Sequence, residues 1–268
     1  MAASLVWVLE SSMFEDGHRA LRDAVTEAGQ QVLEWDDRWW QDRRMPAIDG
    51  PAIFHGSLGN AARIRRDLPW RPGAYCDVDA FRCSVWFPRA RPWSLQRVWV
   101  ETTVRALTAE PDVVLAPLPA SVGVFVRPDS PLKPFSGRIV RRDRLSPAAL
   151  DHGYYYDELE LPIVVAPVRP VSREWRFVVV DRRVVAGSGY DGPSRRAVVS
   201  QADDAAWGFA AEVARRFEPP EAVYVLDVGE AEGALHLVEI NPFSGSDLYA
   251  CDRASIVRAV AAHVREAG

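Results

Sequence analysis

The stretch His236-Leu-Val-Glu-Ile-Asn-Pro-Phe-Ser-Gly-Ser-Asp-Leu-Tyr249 decides the predicted fold of this 268-residue chain. Alternate residues of a β-strand point to the same face, so Glu239 and Asn241 would present their oxygen atoms side by side. Pro242 cannot donate to a continuing ladder, and the Phe-Ser-Gly-Ser run after it predicts a loop. A carboxylate and a carboxamide at a strand end outline a site for a hard cation such as Mg²⁺. A polar pair on a surface strand is the alternative interpretation.

A second strand is predicted just upstream, over Ala222-Val-Tyr-Val-Leu-Asp-Val-Gly229, because this run is rich in β-branched and aromatic residues. The link Glu230-Ala-Glu-Gly-Ala234 is short, polar and contains glycine, which is typical of a hairpin loop. Antiparallel pairing would bring Asp227 close to Glu239 across the ladder, so that Asp227, Glu239 and Asn241 converge. Mg²⁺ that is held by few protein ligands usually shares its shell with water and phosphates. The hairpin therefore points to nucleotide chemistry.

With these motifs, residues 113–249 resemble an ATP-grasp domain, close to the small ATP-grasp proteins in which an arginine replaces a nucleotide-binding lysine. The resemblance implies that Asp227, Glu239 and Asn241 hold the Mg²⁺ ion that bridges the nucleotide phosphates. It also implies an α/β (α+β) fold, in which two α+β subdomains clasp ATP behind a small α/β N-terminal domain.

The first part of the chain predicts this smaller α/β unit from its own pattern. Strands are predicted over residues 5–9, 31–34 and 52–55, with a helix over about 16–28. Such alternation of strands and helices is typical of a small parallel sheet. The turn His55-Gly-Ser-Leu-Gly59 is interpreted either as a simple tight turn or as an anion site for a substrate carboxylate.

These assignments set the predicted domains. Residues 1–112 form the N-terminal domain, and residues 113–268 form the ATP-grasp domain, whose subdomains cover about 113–165 and 166–268. The proline-rich segment 111–119 is the predicted linker between the two domains. Apolar residues at helical spacing predict further helices over residues 94–109, 202–217 and 253–266.

Two basic residues lie near a predicted turn between strands. Arg127 belongs to the run Val124-Phe-Val-Arg-Pro128, and Lys133 belongs to Pro131-Leu-Lys-Pro-Phe-Ser-Gly137. Arginine binds phosphate as a planar fork and lysine as a point charge. The alternative interpretation is that both residues are solvated surface charges. The resemblance implies that both residues bind the nucleotide, with Arg127 at a position where the superfamily usually has lysine.

A further strand pair is predicted within residues 172–190, joined by the turn Asp181-Arg-Arg183. Glu174 and Arg176 would share one face of its first strand. An arginine beside a carboxylate is either a structural ion pair or a phosphate handle. The resemblance implies that Arg176 contacts the transferred phosphate or the acyl phosphate, and that Glu174 orients Arg176.

The adenine is expected where the two subdomains meet, near Leu161-Pro-Ile-Val-Val-Ala-Pro-Val168. The backbone of Val165, Ala166 and Val168 would read the edge of the base, and apolar side chains would sandwich the ring.

The activity that the resemblance implies is ATP-dependent ligation of a carboxylate to an amine through an acyl phosphate. The acceptor would be a small acid, an amino acid, a peptide or a protein terminus, and the cofactors would be ATP and Mg²⁺. Such chemistry depends mostly on positioning and charge neutralisation. Two alternatives stay open on the same fold: a nucleotide-binding sensor or scaffold, and a small-molecule kinase.

Composition limits the classes of partner. The formal net charge of −5 argues against a nucleic-acid-binding protein, which would be expected to carry a basic patch. The sequence has no run of 18 apolar residues, so we predict no membrane span. Three scattered cysteines suit neither a disulfide framework nor a zinc site, and no charged leader precedes an apolar core. We therefore expect a cytoplasmic protein, of an oligomeric state that the sequence leaves open.

Overall fold

The structure is a computed structural model that describes residues 5–151, 158–190, 198–199 and 203–267. These residues form three β-sheets with helices packed against them. No helix among the described residues has both the length and the apolar character needed to cross a membrane.

The N-terminal sheet is parallel, with the strand order β2-β1-β3-β4. Its strands are β1 (Val6–Leu9), β2 (Gln31–Glu34), β3 (Ala52–His55) and β4 (Pro72–Gly73). The helices that follow these strands are α1 (Glu15–Glu27), α2 (Arg38–Gln41) and α3 (Leu58–Asp67). The three predicted strands and the first helix are thus confirmed to within one residue at each end, and the short β4 was not predicted.

The middle sheet is antiparallel, with the order β5-β8-β6-β7. Helix α4 (Cys83–Ala90) precedes it along the chain. The strands are β5 (Val100–Thr103), β6 (Gly123–Pro128), β7 (Arg138–Arg141) and β8 (Pro162–Pro167). The helices between them are α5 (Val104–Ala109), α6 (Pro111–Leu115) and α7 (Pro147–Asp151).

Two predictions about this region are wrong. The helix predicted over 94–109 is confined to α5, because the β-branched run before it forms β5 and pairs with β8. The segment 111–119 is not an open linker, because it contains α6, whose Leu115 packs into the core under the sheet. Since β5 belongs to this sheet, we propose that the first grasp subdomain begins before Val100 rather than at residue 113.

The third sheet is antiparallel, with the order β11-β10-β9-β12-β13. Its strands are β9 (Arg173–Val180), β10 (Arg183–Tyr190), β11 (Val198–Val199), β12 (Val223–Ala231) and β13 (Ala234–Pro242). Helix α8 (Asp204–Arg216) precedes β12, and helix α9 (Arg253–Ala267) follows β13. The predicted hairpins β9-β10 and β12-β13 are both confirmed.

Both faces of the third sheet are buried. On one face, Val178 and Val225 share a core with Trp7 of the N-terminal sheet and Val257 of α9. On the other face, the core includes residues of α8 and α4. A separate core lies under the middle sheet. The strands β9 and β12 are therefore held rigidly from both sides, which fixes the residues at their ends.

The turn after β13 docks onto the N-terminal sheet. The backbone N–H of Gly56 donates to the carbonyl of Ser244 at 2.8 Å, and the N–H of Tyr75 donates to the Ser244 hydroxyl at 2.9 Å. Ser244 is fully buried. The N-terminal sheet thereby fixes the strand end that carries Glu239 and Asn241.

His55, at the end of β3, is buried against the same turn. Its ring centroid lies 5.3 Å from that of Phe243 and 5.8 Å from that of Phe14. Burial, reinforced by the positive charge of Arg253, lowers the pKa of His55 to about 3. His55 is therefore neutral at neutral pH.

This lowered pKa predicts an acid-sensitive contribution to stability. In the unfolded chain the pKa of His55 is near 6.5, so protons bind the unfolded state first as the pH falls. The contribution is complete above the unfolded pKa and is lost as the pH falls towards the folded pKa. Between about pH 7.5 and about pH 5, we expect the free energy of unfolding of the wild type to fall by about 2 kcal/mol more than that of His55→Phe. Urea denaturation at both pH values measures this difference, and equal losses in the two proteins would contradict it.

Candidate active site

Three charged residues form a row across three neighbouring strands. Arg176 on β9 is the register partner of Asp227 on β12, and Asp227 is in turn the partner of Glu239 on β13. Side chains that lie opposite one another on adjacent strands project from the same face of a sheet. Asn241 lies two residues beyond Glu239, so it belongs to the same face. The structure therefore brings together all three predicted metal ligands and the predicted phosphate handle.

Asp227 is the centre of a buried cluster. It is 2% exposed and accepts two parallel hydrogen bonds from Arg176, from Nε at 2.8 Å and from Nη2 at 2.7 Å. Asn241 Nδ2 donates to the same carboxylate at 3.1 Å. Burial lowers the pKa of Arg176, but the negative charge of Asp227 outweighs this effect and raises that pKa above its ordinary value. The pair is therefore ionic.

Glu239 is the centre of a second cluster, which joins two sheets. Arg127 Nη2, from the end of β6, donates to Oε1 at 2.5 Å, and Lys133 Nζ donates to Oε2 at 3.1 Å. Burial raises the pKa of Glu239, but the charges of Lys133 and Arg127 more than offset this and hold the pKa well below its usual range. Both predicted nucleotide cations therefore face a predicted metal ligand.

Glu174, which is predicted to orient Arg176, lies two residues before it on β9. It is half-buried on β9, where it pairs in register with Tyr190 of β10. A hydrogen bond links these two side chains, and the pKa of Tyr190 is raised by burial and by the charges of Asp227 and Glu174. Asp227, rather than Glu174, makes the bidentate contact with Arg176. An orienting role of Glu174 stays a prediction.

The predicted adenine-binding residues lie at the end of β8. Val165 and Ala166 are fully buried within the strand, which pairs with β5 on one side and β6 on the other. The Val165 side chain packs into the core under the middle sheet. Val168 follows the strand end and is half-buried. Contacts of these residues with a base stay a prediction.

A family model that describes an ATP-grasp domain, family 2 of the R-to-K clade, matches residues 95–259, which is more than half of the chain. The chain belongs to this ATP-grasp family. The match includes every predicted site residue and begins before β5.

Solved structures with the ATP-grasp fold cover almost the whole chain. A D-cycloserine synthetase, DcsG, superposes with a TM-score of 0.68 at 15% identity over 97% of this chain and 99% of its own. The D-alanine–D-alanine ligase from Bacillus anthracis gives 0.60 at 11% identity, over 99% and 100%. The ligase PsnB in complex with a minimal precursor gives 0.59 at 10% identity, over 98% and 100%. These likenesses confirm the predicted fold, whereas no curated protein matches the sequence at a significant level.

The candidate site offers an all-oxygen donor set of the kind that Mg²⁺ prefers. Its candidate ligands are the carboxylates of Asp227 and Glu239 and the carboxamide of Asn241, so every ligand atom would be oxygen. Across the described parts of the chain, His, Cys, Asp and Glu side chains form no group of three that could hold a metal ion. A protein site with so few carboxylates fits an ion that completes its shell with phosphate oxygens and water.

Three residues that contact the predicted site residues or lie next to them were missed in the sequence. The carbonyl of Asp247 accepts a hydrogen bond from Arg176 Nη1 at 2.7 Å, and the Tyr249 ring lies over the Arg176 guanidinium with Cζ at 4.5 Å from its centroid. Asp129, just after β6, accepts hydrogen bonds from the N–H and the hydroxyl of Ser84 and so fixes the strand end next to the predicted nucleotide cations. All three lie outside the helices and strands, where no periodicity indicates which way a side chain points.

Proposed function

We propose that this ATP-grasp protein is an ATP-dependent carboxylate–amine ligase that acts through an acyl-phosphate intermediate. The observation that carries the proposal is the pairing of Glu239 with Arg127 and Lys133 beside the pair of Asp227 with Arg176. Three cations and two carboxylates are thereby concentrated where two sheets meet. This is the charge pattern that a protein needs in order to hold a metal ion and a triphosphate together.

The ion pairs of Glu239 allow partners to be exchanged when nucleotide binds. Phosphate oxygens would accept hydrogen bonds from Arg127 and Lys133, and Glu239 would then be free to turn towards the metal ion. Asp227, Glu239 and Asn241 would hold Mg²⁺, which neutralises charge on the β- and γ-phosphates when it is bound. No charge would be left without a partner before or after the exchange.

The transfer itself needs positioning rather than a protein nucleophile. A carboxylate oxygen of the acceptor attacks the γ-phosphorus, the bond from that phosphorus to the β–γ bridging oxygen breaks, and ADP leaves. The amine nitrogen then attacks the acyl carbon, phosphate leaves with the bonding electrons, and the nitrogen loses a proton. Arg176 would stabilise the negative charge of the transferring group through the donors that Asp227 and Asp247 leave available.

The remaining parts of the site are assigned on the same basis. Val165, Ala166 and Val168 are proposed to border the adenine, because they lie where β8 leaves the middle sheet and enters the link to β9. Glu174 is proposed to orient Arg176, and Tyr190 is its neighbour on β10. The described cysteines are all free and buried, which supports a reducing, cytoplasmic setting.

The acceptor is proposed to be a small acid, an amino acid, a peptide or a protein terminus. Two structural neighbours support parts of this range, since one is a D-alanine–D-alanine ligase and another, PsnB, is seen in complex with a precursor peptide, PsnA2. We propose an amide as the product, because the carboxylate and the amine would meet beyond the γ-phosphate.

Hydroxylamine trapping tests the proposed reaction. Acyl phosphates react with hydroxylamine to give hydroxamates, whereas phosphate esters do not. The full chain would be incubated with Mg·ATP, hydroxylamine and a panel of amino acids, dicarboxylic acids and short peptides. We expect ADP release that depends on one class of acid, with one hydroxamate formed for each ADP. ADP release without hydroxamate would instead indicate a kinase. Binding of Mg·ATP in a thermal-shift assay, without ADP release for any acid, would indicate a sensor or scaffold.

A further inference from the structure

Asp227 has two tasks in the proposed mechanism, and they compete. It is a candidate metal ligand, and it is also the bidentate partner that holds Arg176. A bound cation would draw the carboxylate oxygens towards itself and weaken the ion pair. Arg176 would then depend on other contacts to keep its orientation while the phosphoryl group is transferred.

The 247–251 loop provides such contacts. Arg176 Nη1 donates to the Asp247 carbonyl at 2.7 Å, so the one guanidinium nitrogen that does not bind Asp227 is fixed to the loop backbone. The face of the guanidinium is covered by the Tyr249 ring, whose centroid lies 4.5 Å from Cζ. Arg176 is 7% exposed, and a cation over an aromatic ring interacts more strongly when water is excluded. Neither contact involves Asp227.

Tyr249 has an unfavourable backbone conformation. Its φ angle is +45°, in the left-handed region that glycine adopts at lower cost than any residue with a side chain. The conformation is held by two hydrogen bonds: the Tyr249 N–H donates to Asp247 Oδ1 at 2.9 Å, and Arg253 Nη2 donates to the Tyr249 carbonyl at 2.5 Å. A glycine would satisfy the turn alone, so the ring is the feature that a tyrosine adds here.

The loop around Tyr249 is anchored by Arg253, the first residue of α9. Arg253 is 8% exposed, and its Nη1 donates to the carbonyls of Leu248 at 3.1 Å and Cys251 at 2.5 Å. One buried guanidinium therefore holds three carbonyls of the 247–251 loop. The Tyr249 ring also meets the Tyr190 ring, with centroids 5.0 Å apart. Arg253 of α9 thus holds the backbone of Tyr249, and Tyr190 of β10 packs against its ring.

We propose that Tyr249 is a positioning residue, whose ring keeps the Arg176 guanidinium aimed at the transferred phosphoryl group while a metal ion engages Asp227. This inference rests on the proposed function. The aromatic face is the required feature, and the phenolic hydroxyl is not. Tyr249 would act through Arg176, so loss of the Tyr249 ring should weaken binding of the γ-phosphate more than binding of the rest of the nucleotide.

Nucleotide binding tests the proposal without any acceptor. Tyr249→Phe keeps the ring and Tyr249→Leu removes it, while both variants carry a side chain at the same left-handed position. Calorimetry at saturating Mg²⁺ would give the Kd for AMP-PNP, a non-hydrolysable ATP analogue, and for ADP. We expect Tyr249→Leu to weaken AMP-PNP binding relative to ADP binding by about 3- to 10-fold, with Tyr249→Phe within about 2-fold of the wild type. An unchanged ratio in Tyr249→Leu would overturn the proposal, as would an equal loss in Tyr249→Phe.

The same readout separates this proposal from the proposed reaction. If the wild type binds Mg·AMP-PNP but no acid gives ADP release, the ligase assignment fails and the ratio of Kd values still decides the role of Tyr249. If an acceptor is found, Tyr249→Leu should lower kcat by about 10-fold and Tyr249→Phe should restore it. A purely structural role would instead lower the unfolding midpoint and the affinities for both nucleotides together. Failure of the wild type to bind Mg·AMP-PNP would overturn both proposals.

Discussion

Replacing Arg176 by methionine should lower the free energy of unfolding by about 3–5 kcal/mol, because it leaves the buried carboxylate of Asp227 without its charged partner. Asp227 is 2% exposed, and two of its hydrogen bonds come from the arginine that would be lost. Only the 3.1 Å contact from Asn241 would remain among those described for this carboxylate. Methionine fills a similar volume, so loss of packing would contribute little. Urea denaturation followed by circular dichroism measures the change.

Two controls make this result specific. The double variant Arg176→Met/Asp227→Leu removes both charges, so it should recover most of the lost stability. Arg216→Met removes an exposed arginine whose partner, Glu212, is also exposed, and it should change the free energy of unfolding by about 1 kcal/mol or less. Wild-type stability in the Arg176→Met protein would show that the buried pair contributes little to the fold.

The largest effect on activity is expected for Glu239→Gln. Glutamine keeps the size of the side chain but removes the negative charge that a metal ion needs. It also leaves Arg127 and Lys133 without their shared carboxylate, so the two cations repel one another in the absence of nucleotide. We expect acceptor-dependent ADP release to fall by about 10²- to 10³-fold, as is typical when one preorganised electrostatic contact is lost from a site.

The matched control is Glu230→Gln, on the same hairpin but near its loop, where the glutamate is paired with an exposed arginine, Arg173. This variant should retain wild-type turnover. Raising the Mg²⁺ concentration should partly restore the turnover of Glu239→Gln, because a higher concentration of the ion fills a weakened metal site by mass action. Full turnover by Glu239→Gln at low Mg²⁺ would show that Glu239 is not a metal ligand. Loss of the circular dichroism signal would show instead that the variant does not fold.

The arrangement of charges explains how the site can be stable before ATP binds. Each candidate metal ligand that carries a charge is neutralised by a candidate phosphate ligand: Glu239 by Arg127 and Lys133, and Asp227 by Arg176. Unpaired, these buried groups would each be costly. The protein therefore pairs its metal ligands with its phosphate ligands, and Mg·ATP would provide each group with a new partner of opposite charge.

The sequence contains enough information for the β12-β13 hairpin and its ligand pattern. The alternation of side chains along a strand is local, so the spacing of Glu239 and Asn241 places both on one face whatever the rest of the chain does. The short glycine-containing link then brings Asp227 opposite Glu239, as observed. Three strands of the parallel N-terminal sheet and its first helix were predictable for the same reason, because each has its own local pattern, whereas the two-residue β4 has none.

The middle sheet was harder to predict because its first strand depends on a distant partner. Val100–Thr103 becomes β5 by pairing with β8, about sixty residues later in the chain. The apolar residues around it also fit helical spacing, and four residues are too few to distinguish the two periods. Helix α6 was taken for a linker because prolines surround it, although a proline at the first position of a helix is well tolerated.

By itself, the sequence determined the ligand-bearing hairpin, the parallel N-terminal sheet and the set of basic and acidic residues from which the site is built. Only the tertiary structure decided how those residues pair. The order β10-β9-β12-β13 places Arg176 beside Asp227, although 51 residues separate them, and the contact between two sheets brings Arg127 to Glu239 over 112 residues. Local periodicity fixes the face from which a side chain projects. Its partner depends on sheet order and on packing between sheets, which are set by the burial of apolar surface over the whole chain.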